Sequence, residues 1–302
     1  MTRREPNFSA EPAPRAGGWR AGVLFRWSWR EATRSKAVLL LLNGAGVSWL
    51  VFAILIYLHY NLAALRALDL DISRLVPIDA AFFATFLSVQ AAIAFVLALI
   101  VAPPLLARDL ANNGLALYFS RPLGRADYVL GKMAAPLLLL SAVTWAPGLL
   151  LFALQAYLAG AGWAVAQARL AAAIALAGIL WVVLLTLLAF ALAAWLKRRL
   201  AASAAFVGLL FIPGLVAGVI DHFLSRRWAD LISPIGNVQT IWGGLFGFGA
   251  PEHRFFIANG RRVVEILGPP PVWSAWLATA AICGLCLLLL HRRLRAWEEV
   301  RG

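Results

Sequence analysis

Charge is scarce in this chain, and acidic charge scarcer still. Asp, Glu, Lys and Arg make up 14% of the 302 residues, with 14 acidic side chains against 27 basic ones. A soluble domain carries ~25% charged and ~45–50% apolar residues. Here 62% of residues are hydrophobic, more than a water-soluble core of this size can hide. The bilayer is the natural solvent for such a chain, so several spans are expected in place of several soluble domains. Cysteine is almost missing. Cys283 and Cys286 form a C-x-x-C pair that resembles a redox or zinc half-site, but no second pair exists to complete one. Inside an apolar helix they read as small apolar side chains. The four histidines, His59, His222, His253 and His291, are not spaced with other ligand types as a metal site requires.

Other absences concern energy and catalysis. No G-x-x-x-x-G-K-[ST] occurs; Gly131-Lys132 is followed by Met133, and Ala126 stands where the first glycine belongs. Without that phosphate cradle the chain is not expected to hydrolyse ATP itself. No Asp, Glu, Lys, Arg or His falls in the middle of an apolar run, where proton- or ion-coupled carriers keep such groups. No nucleophile–base constellation stands out either, so an enzyme is not expected. Pumping by this chain would need energy supplied by another polypeptide.

What is present is a set of long apolar runs. A spanning helix needs about 20 mostly apolar residues to cross a ~30 Å hydrocarbon core. Six runs qualify: 37–59, 80–107, 133–158, 170–196, 201–220 and 272–290. Pro103, Pro104, Pro147 and Pro213 lie within or near the ends of these runs and are expected to kink them. Nineteen of the Lys and Arg residues fall on the side of the two termini and eight on the other. The positive-inside rule then puts both termini in the cytoplasm. The net charge of +13 is thus read as orientation and headgroup contact, not nucleic-acid binding. No cleavable signal peptide is expected, because the polar stretch 1–36 leads into a run long enough to span.

The expectation is an all-α integral membrane protein with six transmembrane helices. A disordered tail covers 1–17, and 18–36, rich in Trp and Arg, reads as an interfacial helix although Trp19 and Val23 interrupt its arginine stripe. The six-span domain covers 37–291, and a cytoplasmic tail covers 292–302. Within the external segment 221–271, the uncharged stretch 232–250 is too broken by Pro and Gly to span. A re-entrant dip and an apolar external cap are both open readings of it.

The loop 108–132 reads RDLANNGLALYFSRPLGRADYVLGK. A short helix over 108–117, broken at Gly114, would give way to a Ser120-Arg121-Pro122 turn, with Asp127 capping the helix that follows. The stretch resembles the cytoplasmic loop of the type-2 ABC-transporter permease family. The matching positions are Arg108, Asp109, Gly114, Leu115, Leu117, Ser120, Arg121, Pro122, Arg125, Asp127, Tyr128, Gly131 and Lys132; Asn112 and Asn113 complete the break before Gly114. Leu115 replaces a threonine common in the family, and Asp109 a glutamate. The resemblance implies a permease subunit, an exporter, paired with a second permease; arginine-rich, lysine-poor usage points to a bacterium, and so to its inner membrane. Separate ATPase subunits, which hold the ATP and Mg, would dock on this loop. It implies no cofactor in this chain. Uncharged spans point to an apolar or amphiphilic substrate, with Asn43, Gln90 and Gln155 as cavity-lining candidates. The rival readings are an ion-coupled secondary transporter and a membrane scaffold that moves nothing.

Overall fold

The structure, a computed structural model, describes residues 17–61, 77–111, 125–196, 198–224, 227–248, 252–258, 261–267 and 270–299. The tail expected over 1–17 lies outside these residues up to Gly17. Six helices are long and apolar enough to cross a membrane: Lys36–Tyr60, Ala80–Ala107, Tyr128–Ala159, Ala168–Trp195, Arg199–Ile220 and Val272–Arg293. That fits a multi-pass membrane protein, and each helix coincides with one expected run to within a turn or two.

In full, α1 (Gly17–Thr33) precedes α2 (Lys36–Tyr60) and α3 (Ala80–Ala111). The third span is divided into α4 (Arg125–Val143) and α5 (Trp145–Ala159), and a short α6 (Ala161–Ala166) leads into α7 (Ala168–Trp195). Then follow α8 (Arg199–Leu224), a 3-10 helix (Arg227–Ile232), α9 (Pro234–Phe246), the strands β1 (Glu252–Ala258) and β2 (Arg261–Leu267), and α10 (Val272–Glu299). The tail read over 292–302 is, as far as Glu299, a continuation of the sixth helix. Neither Gly nor Pro falls between Gly284 and Gly302 to stop it.

The prolines differ in effect. Helices α3 and α8 run unbroken through Pro103, Pro104 and Pro213. The third span breaks at Thr144, whose backbone sits at φ −97°, ψ −94°. Pro147 explains the position, since it has no N–H for the carbonyl of Val143 and its ring crowds that oxygen. Thr144 Oγ1 donates to Leu140 O at 2.8 Å, the carbonyl that also accepts from Thr144 N–H at 3.0 Å.

Helix α7 is the axis of the bundle. It touches α3, α4, α5, α8, α9 and α10, and 72% of its spanning window is buried against 11% for α2. Alanine and glycine let neighbours approach it closely. At Gly178 a Cβ would lie 2.5 Å from Trp145 Cβ, and at Gly148 one would lie 2.8 Å from Ile174 Cγ2. The α5–α7 contact is therefore made through two small residues, one on each helix. Indole N–H groups tie further helices through carbonyls: Trp181 to Ala91 at 3.1 Å, Trp242 to Ala177 at 3.2 Å and Trp49 to Pro147 at 3.2 Å. One end of the bundle is filled by aromatic rings, with Phe52 edge-on to Phe82 and Phe86 at 5.1 and 5.2 Å.

The stretch after α8 folds back on the bundle. Ten residues of α8 follow Gly214, about 15 Å of helix. The 3-10 helix returns along α8, and a Cβ at Gly214 would lie 3.2 Å from Ser233 Oγ. The chain thus turns at Ser233 partway down α8. From there α9 climbs along α7 and α10 until Gly244 meets Val272, where a Cβ would be 2.6 Å from Val272 Cγ2. Ser233 caps α9 by accepting from Gly236 N–H at 3.1 Å, and Pro234 follows at N1. Ser233→Ala should lower stability by about 1 kcal/mol, measured by denaturant titration of the purified chain.

The two strands were not anticipated. They pair antiparallel, Glu252 opposite Leu267 and Ala258 opposite Arg261. A signal was present in the sequence, because Asn259-Gly260 sits between the β-prone runs RFFIA and RRVVEI.

Candidate functional site at the root of the loop between spans two and three

The middle of the loop, 112–124, lies outside the described residues, and Asn112, Asn113, Gly114, Ser120, Arg121 and Pro122 with it. Its root is described on both sides. Arg108 and Asp109 belong to α3, which continues without a break to Ala111. The separate helix expected from 108 is therefore an extension of the second span, since no Gly or Pro falls between Pro104 and Gly114. On the return side α4 is already helical at Arg125. Asp127 consequently occupies the first turn and does not precede it as a cap.

Tyr128, Gly131 and Lys132 lie inside the bundle. Tyr128 and Lys132 are 0% exposed, and Lys132 is the one charged side chain among the buried polar groups of the described residues. Its Nζ donates to Leu105 O on α3 at 3.4 Å and lies 4.5 Å from the ring centroid of Trp27 on α1. With Trp27 50% exposed, the cation–π contact contributes about 0.5–1 kcal/mol, and the long hydrogen bond about 1 kcal/mol. One ammonium therefore joins α1, α3 and α4 at the point where the loop leaves the bundle. Sequence reasoning took Lys132 for a basic loop residue and passed over Trp27.

The first helix makes this possible. Leu24, Ser28 and Ala32 are buried at i, i+4 spacing, while Arg26, Arg30 and Arg34 are exposed. Its apolar stripe lies against α4, so α1 is a packed part of the fold. Beside it a 160 Å³ cavity is lined by Glu31, Ser35, Pro104, Leu105 and Arg199 among others. Helices α1, α3 and α8 thus meet at the same end of the bundle, which also holds Lys36 and Lys132.

The three cavity-lining candidates part company. Asn43 is exposed on α2 and its Nδ2 donates to Leu39 O at 2.8 Å. Gln90 is buried, its Nε2 donating to Ala45 O at 3.1 Å across the α2–α3 contact. Gln155 donates to Tyr60 Oη at 2.6 Å, again bridging two spans. The Oε1 atoms of both glutamines have no hydrogen-bond partner among the described residues.

No protein-family model matches this chain, and no curated protein matches it.

Proposed function

We propose that this chain is the permease subunit of an ATP-binding-cassette transporter, an exporter of an apolar or amphiphilic substrate. Both termini and the loop 108–132 face the cytoplasm of a bacterium, and α1 lies at the membrane interface. ATPase subunits dock on the loop and bring the ATP and Mg. The reading is supported above all by the root of that loop. Its two stems, α3 and α4, are pinned to each other and to α1 through Lys132. A load applied to such a loop passes into two spans together rather than bending one hinge. The 3-10 helix and α9 form a re-entrant segment in the outer half of the membrane. Of the three polar candidates, Asn43 is the one that a cavity between two permeases can reach.

The test is cross-linking. With Cys283 and Cys286 replaced by serine, a single cysteine at Ser120 should cross-link to a co-purifying soluble ATPase encoded beside this chain. Replacing Gly114 or Pro122 should abolish transport that ATP depletion also stops. Labelling of Ser120→Cys only from outside the cell would overturn the topology. Transport that survives ATP depletion and dies with an ionophore would instead make the chain an ion-coupled carrier.

A further inference from the structure

At the basic end of the bundle a groove of 310 Å³ opens between α7, α8, the bend before α9, and α10. Leu188 and Trp195 line it from α7, Leu209 from α8, and Leu285 and Leu289 from α10. Ile232 and Pro234 close its inner end. The seven-residue advance from Leu188 to Trp195 corresponds to about 10 Å of groove along the bundle. Leu209 and Leu285 are 41% and 57% exposed, so the groove is open sideways along two helices long and apolar enough to cross a membrane. Hydrocarbon can enter it laterally without crossing a polar layer.

The mouth of the groove is charged. Arg293 lies one turn beyond Leu289 and is half-buried. Its Nε donates to Ala194 O at 3.2 Å, and its guanidinium carbon sits 5.6 Å from the ring centroid of Trp195, itself a groove residue. That bond engages one of five N–H donors, and the two terminal NH2 groups have no partner among the described residues. Arg292 beside it is exposed, and so are Arg198 and Arg199, which follow α7. A planar fork held in place by a carbonyl and an indole is suited to two parallel bonds to a phosphate.

We propose that this groove and Arg293 together bind one anionic phospholipid from the bilayer, an acyl chain between the helices and the phosphate on the guanidinium. The apolar lining accounts for the chain, and the basic mouth accounts for the sign of the headgroup. The plainer role for Arg293 is to satisfy a carbonyl left free at the end of α7. Nε alone serves that role, and it demands no particular lipid.

The experiment uses the full chain purified in detergent and offered dioleoyl phosphatidylglycerol or dioleoyl phosphatidylcholine, with retained lipid counted by native mass spectrometry. Phosphatidylglycerol should be held about tenfold more tightly, and Arg293→Gln should reduce that ratio to about one. Leu209→Trp and Leu285→Trp, at sites already exposed, should displace both lipids without lowering the melting temperature. A second measurement supports these variants: with Cys283 and Cys286 replaced by serine, phosphatidylglycerol should slow maleimide labelling of Leu285→Cys, at a groove position that is 57% exposed. Equal retention of the two lipids by the unmutated chain, or a preference that persists in Arg293→Gln, overturns the proposal. So does lipid retention unaffected by both tryptophans, or labelling of Leu285→Cys indifferent to phosphatidylglycerol.

Discussion

Gly178→Ala should destabilise the bundle by about 1–3 kcal/mol, and Gly178→Leu should prevent the chain from accumulating in the membrane. A Cβ at this position would lie 2.5 Å from Trp145 Cβ and 3.2 Å from the Cα and N of the same residue. Two of those three atoms are backbone, so no rotamer change relieves the overlap. The whole of α5 would have to withdraw from α7, and α7 is the helix on which six others rest besides the short α6 that leads into it. Gly44 supplies the control, because nothing lies within 4 Å of a Cβ built there. Gly44→Ala should be neutral or slightly stabilising, as alanine is the better helix former. Denaturant titrations of the purified variants, read by tryptophan fluorescence, make the comparison. Equal stabilities for the two alanine variants would mean that α5 and α7 do not meet at this glycine.

The second large effect concerns force transmission, and it rests on the proposed function. Lys132→Met should leave the chain folded but cut ATP-driven transport about tenfold. Methionine fills nearly the same volume without the cost of burying a charge. What disappears is the tie from α4 to Leu105 O and to the Trp27 ring. ATP hydrolysis by the partner should persist while transport falls, a split that a simple folding defect does not produce. Trp27→Ala should act in the same direction, and the double variant should be no worse than Lys132→Met alone, because both remove one interaction. Lys132→Arg keeps the charge and should recover part of the activity. If protein abundance falls in step with transport, Lys132 is structural only. If neither changes, the tie carries no load.

Much of the fold was legible because bilayer thickness acts on the sequence in one dimension. A run such as 170–196 must be about 20 apolar residues long whatever its neighbours are, and the structure places the helix at Ala168–Trp195. The break at Thr144 was half-legible. Pro147 marks a place where the helix breaks, but Pro103, Pro104 and Pro213 mark places equally well and there the helix is continuous. For α1 the arginine stripe was read and the opposite stripe of Leu24, Ser28 and Ala32 was not. A serine in the middle conceals an apolar face until the partner helix is known. The candidate loop residues divide in the same way. Tyr128 and Lys132 read as part of the docking loop from the resemblance, yet both are buried, because a lysine can bury its stem and settle its ammonium on a carbonyl and an aromatic ring.

The sequence by itself determined how many helices could cross a membrane, which stretch each occupies to within a turn or two, and which end of the bundle carries the positive charge. These follow from hydrocarbon thickness and from the positions of Arg and Lys, and neither depends on long-range contacts. The tertiary structure decided that α7 is the axis, that the stretch after α8 turns back at Ser233, and that Lys132 joins α1, α3 and α4. Each of those depends on which small residue, carbonyl or ring faces a given side chain across the chain, from Gly214 and Ser233 to Trp27 and Lys132. In lipid, where every helix surface is apolar, hydrophobicity cannot choose among neighbours. Close packing and interhelical hydrogen bonds make the choice.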